Sequence, residues 1–185
     1  MHSLHQPAYM LSGFSGHPDT LREMQKAAQG PRGEQSMRVR TRVEDITRGL
    51  QGKDYLGEIL AVRYWVTENV RYINDQLHVE MVKDPERLIE EVDEYGIASG
   101  DCDDIATLIG CMHLCLGRVA KFFVVGFGGP GAYSHVFEGT VEPRSEKTII
   151  CDPVAGTDER GMLERVTTYY TVSLDEPPGH GMMRY

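Results

Sequence analysis

Residues 100–117 read GDCDDIATLIGCMHLCLG, and this stretch organises the rest of the chain. Asp101 is a favourable helix N-cap, and Asp104 stands three residues later, in a position like that of a capping box. Apolar side chains then cover nearly every face of the expected helix up to Gly117, a residue type that commonly ends helices. A helix of this kind packs on several sides at once. We therefore expect a central helix with Cys102 in its first turn.

The segments on either side of this helix differ in their periodicity. Upstream, apolar residues recur at helical spacing, and Asp84 as a cap before Pro85 is typical of a helix start. The predicted helices span 19–29, 37–49, 55–70 and 84–95. Downstream, alternation predicts strands, which span 120–127, 133–141, 148–152 and 167–174. Helices followed by antiparallel strands are typical of an α+β fold, here with the cysteine helix packed on the sheet.

Composition and charge exclude several classes of protein. The 185 residues are enough for one domain with a hydrophobic core, and 41% hydrophobic with 25% charged residues is ordinary for a soluble protein. A net charge of −9 argues against nucleic acid as a partner, because phosphate binding needs clustered Lys and Arg. No stretch approaches the roughly 20 apolar residues of a membrane span, and the N-terminus does not resemble a signal peptide. We therefore expect a cytoplasmic protein.

The weakly patterned start of the chain suggests a division into three parts. We predict an N-terminal arm with helices (1–50), a folded domain (51–175) and a C-terminal tail (176–185). An arm rich in Gly and Pro is usually ordered only where it packs on something. We therefore expect the arm to pack on an assembly partner or in a homo-oligomer.

Cys102, His135 and Asp152 are the candidate catalytic residues, as nucleophile, base and orienting acid. A helix N-terminus favours a thiolate, and an imidazolium favours it further. If Val141 pairs with Thr148 across a polar turn, His135 and Asp152 become diagonal neighbours on one face of the sheet. A register shifted by one residue would place them on opposite faces. The spacing is therefore consistent with a hydrogen bond between His135 and Asp152.

Three carboxylates surround the candidate nucleophile, and negative charge opposes thiolate formation. They are Asp101, Asp103 and Asp104. We therefore predict that the thiolate depends on His135. The backbone N–H of Cys102, at the helix start, is a ready donor to an oxyanion. The second donor remains open among three residues: Trp65, Asn69 and Tyr72.

Three segments carry a resemblance to a known family. They are GDCDDIA at 100–106, YSHVF at 133–137 and CDP at 151–153. In this order and spacing they resemble the microbial and phage branch of the transglutaminase-like superfamily, over roughly Tyr55 to Leu174. The resemblance implies a papain-like α+β core and a triad in which Cys102 is the nucleophile, His135 the general base and acid, and Asp152 the orienting residue.

The resemblance also implies a function. Such proteins attack a carboxamide or peptide carbonyl, form a thioester, and pass the acyl group to an amine or to water. We therefore expect acyl transfer or amide and peptide hydrolysis on a protein or peptide substrate, with no cofactor and no metal. The alternative is a structural or assembly component of a phage virion or tail, with an inactive fold, virion proteins as partners and a place in the particle.

Zinc is a further alternative, because Cys102, His135 and Cys151 offer thiolate and imidazole ligands. Cys151 and Asp152 are adjacent, however, and point to opposite faces of a strand. Only one of them can face His135, so the set falls short of a closed four-ligand site. The other histidines show no ligand spacing, and His113 is predicted to be a satisfied core histidine.

Overall fold

The computed structural model describes residues 17–73, 81–129, 133–155, 159–178 and 182–184. The helices in these ranges are α1 (His17–Gln29), α2 (Met37–Thr47), α3 (Tyr55–Asn69), α4 (Pro85–Tyr95), α5 (Cys102–Cys115) and α6 (Glu159–Glu164). The strands are β1 (Val70–Tyr72), β2 (Ala98–Gly100), β3 (Ala120–Gly126), β4 (Tyr133–Val141), β5 (Thr148–Cys151), β6 (Thr168–Ser173) and β7 (Met182–Arg184). The fold is α+β, which confirms the predicted class.

The main sheet is antiparallel, with strand order β5-β4-β3-β6-β7. Val141 pairs with Thr148 and Glu138 with Cys151, so the register predicted across the polar turn is confirmed. A second, two-stranded sheet joins β1 and β2 in parallel. The two-stranded sheet lies at the N-terminus of α5, because β2 ends two residues before that helix begins.

Helix α5 lies at the centre of the molecule, as its apolar pattern predicts. It is buried from Asp104 to His113, and it contacts β3 and β4 on one side and α1, α2 and α3 on others. Asp101 caps it by accepting from the N–H groups of Asp103 and Asp104, at 3.1 and 3.4 Å. Gly117 follows its last turn with φ of 67°, a left-handed conformation that favours glycine.

The first described helix belongs to the same core as α5. Helix α1 begins at His17, two residues before the predicted start, and Leu21 and Met24 are buried in the core cluster. The Gln25 side chain donates to the carbonyl of Ser173 at the end of β6, at 2.8 Å. Residues 1–16 of the predicted arm lie outside the described residues, so a partner for the arm stays a prediction, as do the domain boundaries.

Two features of the structure correct the expectations. Asp84 occupies the N-cap position of α4 but makes no capping hydrogen bond, because its carboxylate accepts instead from Arg32 at 3.1 Å. Helix α6, which the periodicity did not show, places Met162 on the outer face of the sheet, in a small cluster with Val125 and Phe137. In the described part of the chain, helices long and apolar enough to cross a membrane are absent.

Candidate active site

His135 and Asp152 meet as the register predicts. Nε2 of His135, on β4, donates to Oδ2 of Asp152, just after β5, over 2.7 Å. Asp152 is almost fully buried and His135 is 12% exposed on its side chain, so the bond is shielded while the ring still reaches the surface. A carboxylate can only accept, so Nε2 carries the proton and Nδ1 of a neutral ring is left as the acceptor.

The turn after β5 holds the Asp152 carboxylate in place. Its Oδ1 accepts from the backbone N–H groups of Val154 and Ala155, at 3.0 and 3.2 Å. This is an Asx-turn, in which an Asp side chain accepts hydrogen bonds from the backbone N–H groups two and three residues later. One carboxylate oxygen is therefore held by the turn, and the other accepts from the imidazole.

Cys102 lies at the start of α5, beside β4. Its thiol donates to Oδ1 of Asp103 over 3.5 Å, and the backbone N–H of Val136, next to His135 in sequence, contributes to its electrostatic surroundings. Within the described ranges, Cys102 and His135 share no hydrogen bond. The structure therefore joins His135 to Asp152, and it places the helix that bears Cys102 against the same strand, with the thiol directed at Asp103.

The surroundings of Cys102 keep its thiol protonated. Burial raises its pKa well above the ordinary value, the carboxylates of Asp103 and Asp101 raise it further, and the N–H of Val136 partly opposes them. The predicted direction is therefore found, but burial is a larger cause than charge. The third carboxylate, that of Asp104, accepts from the backbone N–H of Lys83 at 2.7 Å.

Tyr72 is the best placed of the three candidates for the second oxyanion donor. It pairs with Gly100 across the parallel ladder, which sets it beside the start of α5. Burial raises its pKa, and so do the neighbouring Cys102 and the carboxylates of Asp101 and Asp103, so its hydroxyl stays protonated and able to donate. The amide of Asn69, by contrast, donates to the carbonyl of Trp65 at 2.8 Å.

The zinc set considered from the sequence does not form among the residues that the structure describes. Cys151 lies instead with His113 and Glu138, in a buried group whose ligand atoms are all within 4.8 Å of one another. The sequence held one signal for this group, because the predicted register already paired Glu138 with Cys151. The expectation of a satisfied His113 is wrong in part, since its Nδ1 has no hydrogen-bond partner.

Comparison with solved structures finds a likeness in fold. The chain superposes on a crystal structure of a "putative protease" from Parabacteroides distasonis ATCC 8503, with a TM-score of 0.59 and 15% sequence identity. The match covers 90% of this chain and 30% of that protein, so the chain spans about a third of its length. No family model matches the sequence, and no curated protein matches it significantly.

Proposed function

We propose that the protein is a cysteine hydrolase of the transglutaminase-like, papain-like kind, which opens an amide or peptide bond through a thioester on Cys102. The observation that carries the proposal is the 2.7 Å hydrogen bond between His135 and Asp152, beside the helix start that bears the cysteine. The likeness in fold to a protein described as a "putative protease" supports it. So does the order of the three motifs.

The reaction needs His135 to take the thiol proton as the bond forms, because the surroundings of Cys102 disfavour a resting thiolate. Sγ of Cys102 attacks the substrate carbonyl while its proton moves to Nδ1 of His135. The carbonyl oxygen becomes an oxyanion, which the backbone N–H of Cys102 and the hydroxyl of Tyr72 are proposed to stabilise. Asp152 holds the ring and stabilises its charged form.

Collapse of this intermediate breaks the C–N bond, and His135 returns the proton to the leaving amine. The acyl group then remains on Sγ as a thioester. A water molecule gives a proton to Nδ1 and attacks the thioester carbonyl, the C–S bond breaks, and the released thiolate takes that proton back from His135. An amine in place of water would give acyl transfer by the same steps, and the mass of the product distinguishes the two.

Labelling of the thiol by a peptidyl chloroacetamide, read by intact and peptide mass, tests the proposal. We expect wild-type protein to be labelled at Cys102, and His135→Ala to label about 100-fold more slowly, the lower range for a lost general base. The matched control is Cys115→Ala, which removes another partly exposed thiol and leaves the rate unchanged. A rate that His135→Ala does not change would overturn the proposal.

Turnover is tested separately, by incubation with a peptide library and trapping of the Cys102 thioester. The trapped peptides would identify the substrate class. A role as a virion or tail component stays a prediction, and a stable complex with particles, without labelling of Cys102, would favour that role over the enzyme.

A further inference from the structure

We propose that His113, Glu138 and Cys151 bind a zinc ion between α5 and the sheet. Their ligand atoms lie within 4.8 Å of one another, and all three residues are buried. Nitrogen, oxygen and sulfur donors of this kind are those that Zn²⁺ takes in proteins, and with three protein ligands the fourth tetrahedral position would be taken by water or by the second oxygen of Glu138. The inference does not depend on the proposed function.

The fold brings the three side chains together from two layers. Glu138 and Cys151 are direct partners across the β4–β5 ladder, so their side chains share one face of the sheet. His113 comes from the last turn of α5, which packs on that face. A Cβ at Gly110 would lie 3.6 Å from Cγ of Glu138, which confirms that the glutamate is in contact with this helix.

The buried carboxylate of Glu138 has a close ionisable neighbour, His113, but no hydrogen bond to any of the described residues. Both of its oxygens are buried without a hydrogen bond. Nδ1 of His113 lies 3.2 Å from Oε1, but no hydrogen bond joins the two atoms. Because a buried carboxylate without hydrogen bonds is costly, a cation at this position would stabilise the fold.

The other nitrogen of His113 indicates which atom is available to a metal. Nε2 lies 3.4 Å from the carbonyl of Ile59, and a carbonyl can only accept, so Nε2 carries the proton. Nδ1 lies 3.2 Å from Oε1 of Glu138 without a hydrogen bond, and it is therefore the ring atom available to a metal. A metal-bound histidine usually donates its second N–H to a carbonyl in this way.

One of the three separations between the ligand atoms also suits zinc. Bonds of about 2.0–2.2 Å to nitrogen and oxygen give a tetrahedral edge of about 3.3–3.5 Å. The 3.2 Å between Nδ1 of His113 and Oε1 of Glu138 is close to that edge. Cys151 would release its thiol proton to solvent on binding. At about 1.5 Å per residue, His113 is about 16 Å along α5 from Cys102, so the ion would lie away from the candidate nucleophile, although Cys151 directly precedes Asp152 in the chain.

Metal loading of untagged, chelator-treated protein tests the proposal, with Co²⁺ as a spectroscopic probe and Zn²⁺ in competition with a coloured chelator. We expect one ion per chain and a thiolate-to-cobalt absorption band. Cys102→Ala and Cys115→Ala keep that band, whereas Cys151→Ser loses it. Loss of the band in Cys102→Ala, or less than half an ion bound per wild-type chain, would overturn the site.

A second variant guards against loss of the fold in Cys151→Ser. Glu138→Gln retains the shape of the side chain and every thiol but removes the charge. We expect its Zn²⁺ affinity to fall at least about tenfold, the smaller effect seen even for residues one step removed from a metal. Unchanged affinity would overturn the role of Glu138 and, with it, the site. If a shared proton or an ion pair joins His113 and Glu138 instead of a metal, neither the wild type nor the variant binds zinc, which would also overturn the site.

Discussion

Asp103 acts on the Cys102 thiol in two ways. Its carboxylate accepts the thiol's hydrogen bond, and its negative charge raises the pKa of that thiol. Both effects favour the neutral thiol over the thiolate. Substitution of Asp103 therefore separates the effect of charge on the pKa of Cys102 from the effect of burial.

Asp103→Asn is expected to lower the pKa of Cys102, because it removes a charge that raises it. The thiolate fraction then grows at any given pH, so the alkylation profile moves to lower pH and the rate at neutral pH rises about threefold or more. Iodoacetamide rates across pH, read by mass at Cys102, measure this. Asp45→Asn, an exposed carboxylate paired with Arg48, is the control and leaves the profile in place. A shift to higher pH would contradict the prediction.

Sequence spacing predicted some residue contacts and not others. The hydrogen bond between His135 and Asp152 follows from strand register, which the polar turn after Val141 defines. The orientation of the Cys102 thiol toward Asp103 depends on side-chain rotamers, which the spacing of residues in the sequence does not predict. The grouping of His113 with Glu138 depends on which face of α5 meets which strand, and the almost wholly apolar helix leaves that face unspecified.

The contact between α5 and the sheet depends on a glycine in the middle of the helix. A Cβ at Gly110 would lie 2.5 Å from Cδ1 of Leu174 and 3.4 Å from Cε1 of Phe122. The helix can therefore approach the sheet closely only because this position has no side chain. That approach sets the distance between the helix bearing Cys102 and the strand bearing His135.

Gly110→Val is expected to destabilise the fold by about 1–3 kcal/mol, the usual cost of overpacking a core. The gain in helix propensity over glycine offsets only a few tenths of this. Urea unfolding followed by circular dichroism gives the free energy of unfolding. The matched control is Gly49→Val, where a Cβ meets nothing within 4 Å, and we expect a change within about 0.5 kcal/mol. Equal effects at the two positions would refute the close packing.

Elements with several turns or several alternations were predicted to within about two residues, and the short ones were missed. Strands β1 and β2 have three residues each, too few to show a period. Their parallel pairing depends on a crossover through α4 rather than on any local turn. The sequence alone could not therefore show that Tyr72 lies beside Gly100.

At the scale of the whole molecule, α1 closes the core from the N-terminal side. Gln25 reaches Ser173 and Gln29 reaches the carbonyl of Leu174, contacts between residues that are about 150 positions apart. Such contacts have no local signature, which is why the start of the chain reads as a weakly patterned arm. The described helix is instead part of the same core as α5.

Met24→Ala is expected to cost about 2–5 kcal/mol of stability, since it leaves a cavity where α1 meets the core. Met37→Ala makes the same change at a side chain that is 74% exposed, and we expect less than about 0.5 kcal/mol. Urea midpoints with unchanged slopes measure both. Comparable small effects would show that α1 is dispensable to the core.

Strand β5 is the border of the main sheet, hydrogen-bonded to β4 on one side over four residue pairs. Asp152 follows its last residue, whereas His135 lies on the inner strand. Parting the two residues therefore needs β5 to separate from β4, which exposes the buried Cys151 but costs less than global unfolding. Moderate heat or denaturant is thus expected to break the hydrogen bond between His135 and Asp152 reversibly, and with it the proposed reaction, while α5 and the inner strands remain folded.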